Sequence, residues 1–371
     1  MILSMNSQDL LEGMNIVTRA LSPRPARQIL EGVLISADNN RVVLTCTDGS
    51  LSIEYTNAAT VQESGQIVLP GRIFAEMIRK MPSGTVTISE QDNRSATIRC
   101  MKNRSSLAVM NPAEYPEIEL IKSGTQVKIP QKKLKDMISH VIFAIATDES
   151  RQILTGSLLE VNRNEARLIA LDGFRLAMYK LFQPFELPEG EDIVKTVIPG
   201  KVLSELNRIL QEDDSFCNML IDNTRLQCSF SNIKLSCTLL AGEYIDYRRI
   251  LPSEFKTDAL AKKTDVQDAI DRASLMAREG KNNLIKMSFR SEYIKISSNA
   301  ELGDVEEEIE VSLTGEPIDI AFNARYITDI IRNVPDENLC MKFNTSISPC
   351  VVVPQQGDDY LYLILPVRIY Q

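Results

Sequence analysis

The chain has 371 residues, too many for one ordinary domain and enough for two or three, each with its own core. Lys and Arg number 41 against 50 Asp and Glu, a net charge of −9 with a pI near 5.0. Read alone, that balance argues against a nucleic-acid binder with a basic footprint and against adhesion to an anionic membrane.

In chain order, the sequence predicts a helix over Ser7–Leu21, then a hairpin in RVVLTCTDGSLSIEY. A strand, a short turn and an amphipathic helix follow in QIVLPGRIFAEMIRKMPSG, then strands in TVTIS, SATIRCM and SSLAVM. AEYPEIELI closes this first copy. The second starts with a helix over Pro130–Ala146, where Leu134, Met137, Ile138, Val141, Ile142 and Ile145 keep helical spacing. ARLIALDGFRLAMYK repeats the hairpin, aligning Asp172-Gly173 on Asp48-Gly49, and KTVIPGKVLSELNRILQED repeats the strand and helix. RLQCSF and IKLSCTLL are strands, and GEYIDYRRILP closes the copy. The third has a helix over Thr264–Glu279, whose Thr264 and Gln267 have capping-box spacing. It continues with the diverged YIKISSNAELGD, the strand and helix of IDIAFNARYITDIIRNVPDEN, and strands in CMKF, PCVVVP and YLYLILPV. The class is therefore α+β with mostly antiparallel sheet, in three repeats of two helices and about eight strands each. The expected domains are 1–122, 126–250 and 253–371.

The second helix of every copy holds charges in one frame: Arg72, Glu76 and Arg79; Lys201, Glu205 and Arg208; Arg325, Asp329 and Arg332. Offsets of zero, four and seven share a face, with the basic groups roughly 10 Å apart. Apolar residues (Phe74, Met77, Ile78 and Met81; Leu203, Leu206, Ile209 and Leu210) take another face. Any one such helix reads as a solvated face with an internal ion pair. Three in the same frame suggest a common basic surface holding a polyanion inside an acidic protein.

Catalytic signals are poor. There is no G-x-x-x-x-G-K-[ST], no G-x-G-x-x-G and no G-x-S-x-G. The one histidine, His140, stands alone on the first helix of the second copy and reads as a solvent or channel residue. The run Asp304, Glu306, Glu307, Glu308 and Glu310 alternates like a strand and reads as a charged sheet edge in preference to a metal site. Seven cysteines without a C-x-x-C pair read as small buried hydrophobes in a reducing compartment. With no visible signal peptide in MILSMNSQDLL and no apolar run near roughly 18 residues, a cytoplasmic protein is expected. No cofactor, metal or catalysis is expected.

The three repeats, ALDGFRLA in the second, EYIDYRRILP at its end and the C-terminal LPVR together resemble the bacterial DNA polymerase III β subunit, or sliding clamp, family. The likeness runs the length of the chain. It implies a head-to-tail homodimeric ring whose helices line a central hole around duplex DNA. The partners it implies are the replicative polymerase, the clamp loader, and repair and translesion proteins that insert a short peptide into an apolar cleft. The DNA-facing positions would be Arg24, Arg72, Arg79, Lys201, Arg208, Arg325 and Arg332, while Gln152 and Ile153 fall where some members carry aromatic residues. The cleft would comprise Leu154, Leu171, Asp172, Gly173, Phe174, Arg175 and Leu176, with arginine and backbone groups fixing the peptide's orientation. Ile245, Arg249, Ile250, Pro349, Leu363, Ile364, Leu365, Pro366, Val367 and Arg368 complete it. Leu171 and Phe174 replace the Thr and His common in the family, and Ile245 replaces a Pro. Pro349 also differs from some members, and Tyr370-Gln371 extend past the usual end. A more apolar cleft with a shifted peptide preference is expected. The dimer contact would set Leu107 against Leu275 and Met276. Two other readings are a scaffold that uses only the cleft, without DNA, and a metalloenzyme built on Asp304–Glu310.

Overall fold

The threefold pattern folds three times in the same order of elements, except that the second copy has four strands between its helices and the others five. The structure, a computed structural model, describes residues 1–91, 94–280 and 283–368, so the extension Tyr370-Gln371 lies outside it. The first copy runs β1 (Ile2–Asn6), α1 (Ser7–Val17), β2 (Gly32–Asp38), β3 (Arg41–Thr47), β4 (Leu51–Ala58), β5 (Thr60–Glu63), β6 (Gly65–Pro70), α2 (Gly71–Arg79), β7 (Thr85–Gln91), β8 (Ser95–Cys100) and β9 (Asn103–Ala108). The second runs β10 (Thr125–Pro130), α3 (Gln131–Val141), β11 (Gly156–Asn162), β12 (Glu165–Leu171), β13 (Arg175–Phe182), β14 (Ile193–Pro199), α4 (Gly200–Ile209), β15 (Phe216–Ile221), β16 (Arg225–Phe230) and β17 (Ile233–Thr238). The third runs β18 (Thr257–Lys262), α5 (Lys263–Glu279), β19 (Leu284–Phe289), β20 (Tyr293–Ala300), β21 (Gly303–Glu310), β22 (Ser312–Gly315), β23 (Ile318–Asn323), α6 (Ala324–Asn333), β24 (Asn338–Phe343), β25 (Cys350–Val353) and β26 (Tyr360–Ile364). Among the described residues all strand pairs are antiparallel, so the α+β class stands.

Contacts divide the chain into two compact units, 1–132 with 208–239, and 133–207 with 240–371. In the first, eight strands join in the order β10-β15-β16-β17-β4-β3-β2-β6, and five more in the order β5-β1-β7-β8-β9. In the second, nine strands join as β14-β11-β12-β13-β26-β25-β24-β18-β22, and four as β21-β20-β19-β23. Each long sheet thus fuses strands of two consecutive copies across β17–β4 and β13–β26. The units cut across the repeats because a repeat shares its sheet with its neighbour.

Two local devices recur. In both hairpins an aspartate accepts from the backbone amides two and three residues on: Asp48 from Ser50 and Leu51, both at 2.8 Å, and Asp172 from Phe174 at 2.9 Å and Arg175 at 3.0 Å. Gly49 and Gly173 follow with φ of +97° and +92°, a region that favours glycine. The closing segments each set a tyrosine against two adjacent strands of the sheet. Tyr115 reaches the carbonyls of Thr45 at 3.1 Å and Gly32 at 3.5 Å, and Tyr244 those of Gly156 at 3.4 Å and Ile169 at 3.5 Å. Burial pushes both phenols above their usual range.

Two expectations need correction. Helix α5 begins one residue before Thr264, with Lys262 as its cap and no side-chain capping bond; Thr264 Oγ1 instead donates to Asp265 at 3.0 Å. The spacing alone misplaces the helix start. The second concerns Arg175 and Ile364 and is taken up with the cleft. His140 is half-exposed, stacked on Tyr179 with ring centroids 4.5 Å apart, and its Nδ1 lies 2.7 Å from the Asp136 carbonyl. The acidic run does form edge strand β21, alternating half-buried and exposed, with Glu307 bonded to Arg272 of α5. Among the described residues no cluster of three or more His, Cys, Asp or Glu is placed to hold a metal, and no helix is long and apolar enough to cross a membrane. All seven cysteines are free and six are buried, which drives the Cys237 thiol up to about 12.

Candidate functional site: an apolar cleft and basic helix faces

In the second unit, one face of the β12–β13–β26–β25 sheet gathers an apolar cluster. Leu171 lies opposite Leu176, Leu176 opposite Leu363, and Leu363 opposite Val351, so four buried side chains form a cross-strand row. Leu154, Leu158, Ile169, Met178, Val197 and Tyr247 complete the buried cluster, and Ile245 and Tyr244 pack against it half-exposed. Phe174 is 57% exposed and Leu365 38% exposed; they are neighbours, the Leu365 amide donating to the Phe174 carbonyl at 2.8 Å. Pro349 lies half-exposed immediately before Cys350, which pairs with Ile364. Pro366 and Val367 are half-exposed, and Gly173 and Arg368 exposed. A cluster floored by leucines and rimmed by exposed apolar groups can take the side chains of an extended peptide.

The closing segment is fastened from beneath. Glu160, 3% exposed, accepts from Tyr247 Oη at 2.8 Å and Arg248 at 2.9 Å and pairs with Lys195 at 3.0 Å. Arg249 and Ile250 follow at once. Arg249 is exposed and pairs with Asp246 at 3.1 Å, while Ile250 is 36% exposed. Sequence reasoning did not identify Glu160; a carboxylate inside the apolar strand GSLLEVN was the available signal.

Strand alternation splits the residues expected to share the cleft. Arg175 lies opposite Ile364, and both occupy the face away from Leu176 and Leu363. Arg175, 7% exposed, donates from Nε to Asp172 at 3.0 Å, from one terminal nitrogen to Asp329 of α6 at 2.5 Å, and from the other to the Phe143 carbonyl at 2.6 Å. Its guanidinium also sits 4.7 Å from the Tyr326 ring centroid and 5.4 Å from that of Phe143. With every nitrogen engaged, it does not orient a peptide in this structure. It ties the hairpin to α6. Ile364, on the same face as Arg175, likewise stands outside the leucine cluster.

The basic faces are exposed. On α2, Phe74, Ala75 and Ile78 are buried, while Arg72 donates to the Ser22 carbonyl at 3.0 Å and Arg79 to Asn15 at 3.0 Å and to Glu76. Arg24 is exposed in the loop after α1. On α4, Lys201 and Arg208 are exposed opposite buried Val202, Leu203 and Leu206. On α6, Asn323 caps the helix by accepting from the Arg325 amide at 3.0 Å, and Arg332 donates to Asp271 of α5 at 3.0 Å. Arg325 and Arg332 line a cavity of about 330 Å³ with Arg278, Ser274, Asn283 and Thr328. Arg278 was not identified from sequence, although its place in the last turn of α5 put a third cation within reach.

Three domain descriptions match in order: the DNA polymerase III beta subunit N-terminal domain over 1–119, the central domain over 128–246 and the C-terminal domain over 248–368. The chain is 33% identical over 367 residues to the beta sliding clamp of Staphylococcus epidermidis, with 96% of each chain covered. It is 32% identical over 367 residues to that of Staphylococcus aureus, again with 96% of each covered. The chain belongs to the DNA polymerase III β subunit family. Its structure is similar to that of the DNA polymerase sliding clamp from Bacillus subtilis, with a TM-score of 0.95, 33% identity and all of both chains covered.

The sliding-clamp family is non-catalytic, which fits the poverty of catalytic signals along the sequence. In this clamp chain the residues expected at the dimer contact stand on open elements. Strand β9, which carries Leu107, is an edge of its sheet, and Leu107 is half-exposed. Leu275 on α5 is 58% exposed, and Met276 is half-buried.

Proposed function

We propose that this clamp chain, with domains 1–122, 126–250 and 253–371, closes as a head-to-tail homodimer around duplex DNA in the cytoplasm. There it tethers the replicative polymerase and, in turn, the clamp loader and repair and translesion proteins. The observation that carries the reading is the exposed cation pair kept in one frame on α2, α4 and α6 of a chain whose net charge is −9. An acidic exterior around basic helices would reconcile that net charge with a duplex held inside. Phosphate contacts carry no sequence information, which suits sliding. Arg24, Arg72, Arg79, Lys201, Arg208, Arg325 and Arg332 would contact the duplex. Leu107, Leu275 and Met276 would meet across the ring joint. The leucine row, with Phe174, Ile245, Ile250, Pro349 and Leu365 around it, would hold partner peptides, and Arg175 would act from behind the hairpin.

Loading the protein on nicked circular DNA with its clamp loader and ATP, then cutting the circle, tests enclosure directly. The clamp should remain on the circle and leave the linear form. Equal retention on both would refute it.

A further inference from the structure

The fused sheets build the cleft's framework twice, and the two versions can be compared position by position. Around the cleft, β12, β13, β26 and β25 set Leu171, Leu176, Leu363 and Val351 in one row. In the other unit, β3, β4, β17 and β16 pair in the same way and set Thr47, Ser52, Ser236 and Gln227 in the matching row. The registers fix the match. Leu51 lies opposite Cys237 as Arg175 lies opposite Ile364, the Asp-Gly turns are the same, and the tyrosines of the closing segments bond to the same carbonyl positions. Every apolar member of one row is polar in the other.

Three members of the polar row, Thr47, Ser52 and Ser236, line a cavity of about 190 Å³, shared with Ser50, Thr238 and the closing segment Pro116–Glu119. Two of its hydroxyls, those of Thr47 and Ser52, are joined to each other. Thr47 Oγ1 lies 2.7 Å from Ser52 Oγ, donates to the Leu51 carbonyl at 3.0 Å and accepts from the Gly49 amide at 3.0 Å. An ion pair also closes this groove: Arg225 of β16 holds Glu119 of the closing segment at 2.5 Å and reaches its carbonyl at 3.4 Å. Arg225 precedes Leu226, the partner of Cys237, as Pro349 precedes Cys350, the partner of Ile364. Proline offers no donor for such a latch.

We infer that the row Thr47–Ser52–Ser236–Gln227, with the Arg225–Glu119 latch, decides that the first groove refuses the apolar peptides the second accepts. These are specificity-determining residues, and the inference rests on the cleft reading above. Its physical basis is asymmetric. Leucine side chains of a peptide gain by covering apolar surface, whereas covering hydroxyls removes their water and offers them no replacement bond. One scaffold therefore yields one peptide site per chain, and the polymerase has a single place to be held.

The test exchanges the rows in the full-length dimer and titrates each form calorimetrically with a clamp-binding peptide from the matching polymerase. The unmodified protein should bind one peptide per protomer. Leu171→Thr with Leu176→Ser and Leu363→Ser should weaken binding at least about a hundredfold. Thr47→Leu with Ser52→Leu, Ser236→Leu and Glu119→Ala should raise the stoichiometry to two per protomer. Joined to the first triple exchange, it should restore one peptide per protomer. Thermal melting and dimer mass report on folding. If the four-site variant does not fold, Ser236→Leu with Glu119→Ala is the smaller exchange and should still give a weak second site. Two peptides on the unmodified protein, or a folded exchange variant that still binds only one, overturns the inference. No peptide bound by the unmodified protein overturns the cleft reading itself, and this inference with it.

Discussion

Helices α2 and α6 carry the same charge frame and use it differently. On α2 the acid stays at home: Glu76 pairs with Arg79 of its own helix, both side chains at least half-exposed. On α6 the acid is exported. Asp329 passes over its own arginines to take Arg175 from the β12–β13 hairpin, while Arg332 turns to Asp271 of α5. A frame of charges can thus serve as a self-contained solvated face in one copy and as a brace for the neighbouring copy in another. The difference lies in what each fold brings alongside the helix, so the two copies should respond unequally to equivalent damage.

The largest contrast is expected from Arg175→Ala against Arg79→Ala. The Arg175 side chain is 6% exposed, and its loss strands the side chains of Asp172, 13% exposed, and Asp329, 30% exposed. Breaking a buried pair by removing one partner typically costs about 3–5 kcal/mol, and the part-exposed Asp329 places this case near the lower end. Arg79→Ala removes an exposed pair with Glu76 and an exposed bond to Asn15, and should cost about 1 kcal/mol or less. Urea unfolding measures both. Equal losses would erase the distinction between a brace and a solvated face.

The hairpin turns offer a smaller contrast. Asp48 and Asp172 make the same two backbone bonds, so Asp48→Ala and Asp172→Ala should each lose about 1–2 kcal/mol from the turn. Asp172 also accepts from Arg175 Nε at 3.0 Å, whereas the extra acceptor role of Asp48 is an exposed bond to Ser50 at 2.8 Å. The Asp172 variant should therefore melt lower in thermal unfolding. Should the Asp48 variant melt lower, the turn would outweigh the brace.

Much of this was legible in the sequence because the carrying signals are local. The Asp-Gly turns, the strand-turn-helix phrase and the closing tyrosines all sit within short windows, and they gave three α+β copies. The leucines of the cleft were legible through resemblance, but the resemblance also swept in Arg175 and Ile364. The two-residue period of a strand would have put both on the other face. The Arg175–Asp329 tie spans 154 positions, and no periodicity announces a partner at that distance. The stacking partner of His140, Tyr179, was hidden for the same reason, since it comes from another element. The capping-box spacing at Thr264 failed for a different one: the helix simply starts a residue earlier, after Lys262, and the hydroxyl turns to Asp265.

The smallest effect concerns the next link outward from α6. Helix α5, which supplies Asp271 to Arg332, also sends Arg272 to Glu307 on edge strand β21. The hydrogen bond from Arg272 holds the Glu307 carboxyl below its ordinary value of 4.5, against a lesser opposing effect of burial. A carboxylate whose folded-state value is depressed adds stability above the unfolded-state value and loses it as the pH falls through the folded one. The melting-temperature gap between the unmodified protein and Glu307→Gln should thus be fully open near neutrality. It should close progressively below about pH 4.5, where protonated Glu and Gln become equivalent. Because Arg272 is 55% exposed, salt should narrow the gap as well. A gap unchanged from neutral pH to well below that value would show that the pair contributes shape without charge, and that α5 does not extend the electrostatic bracing begun at α6.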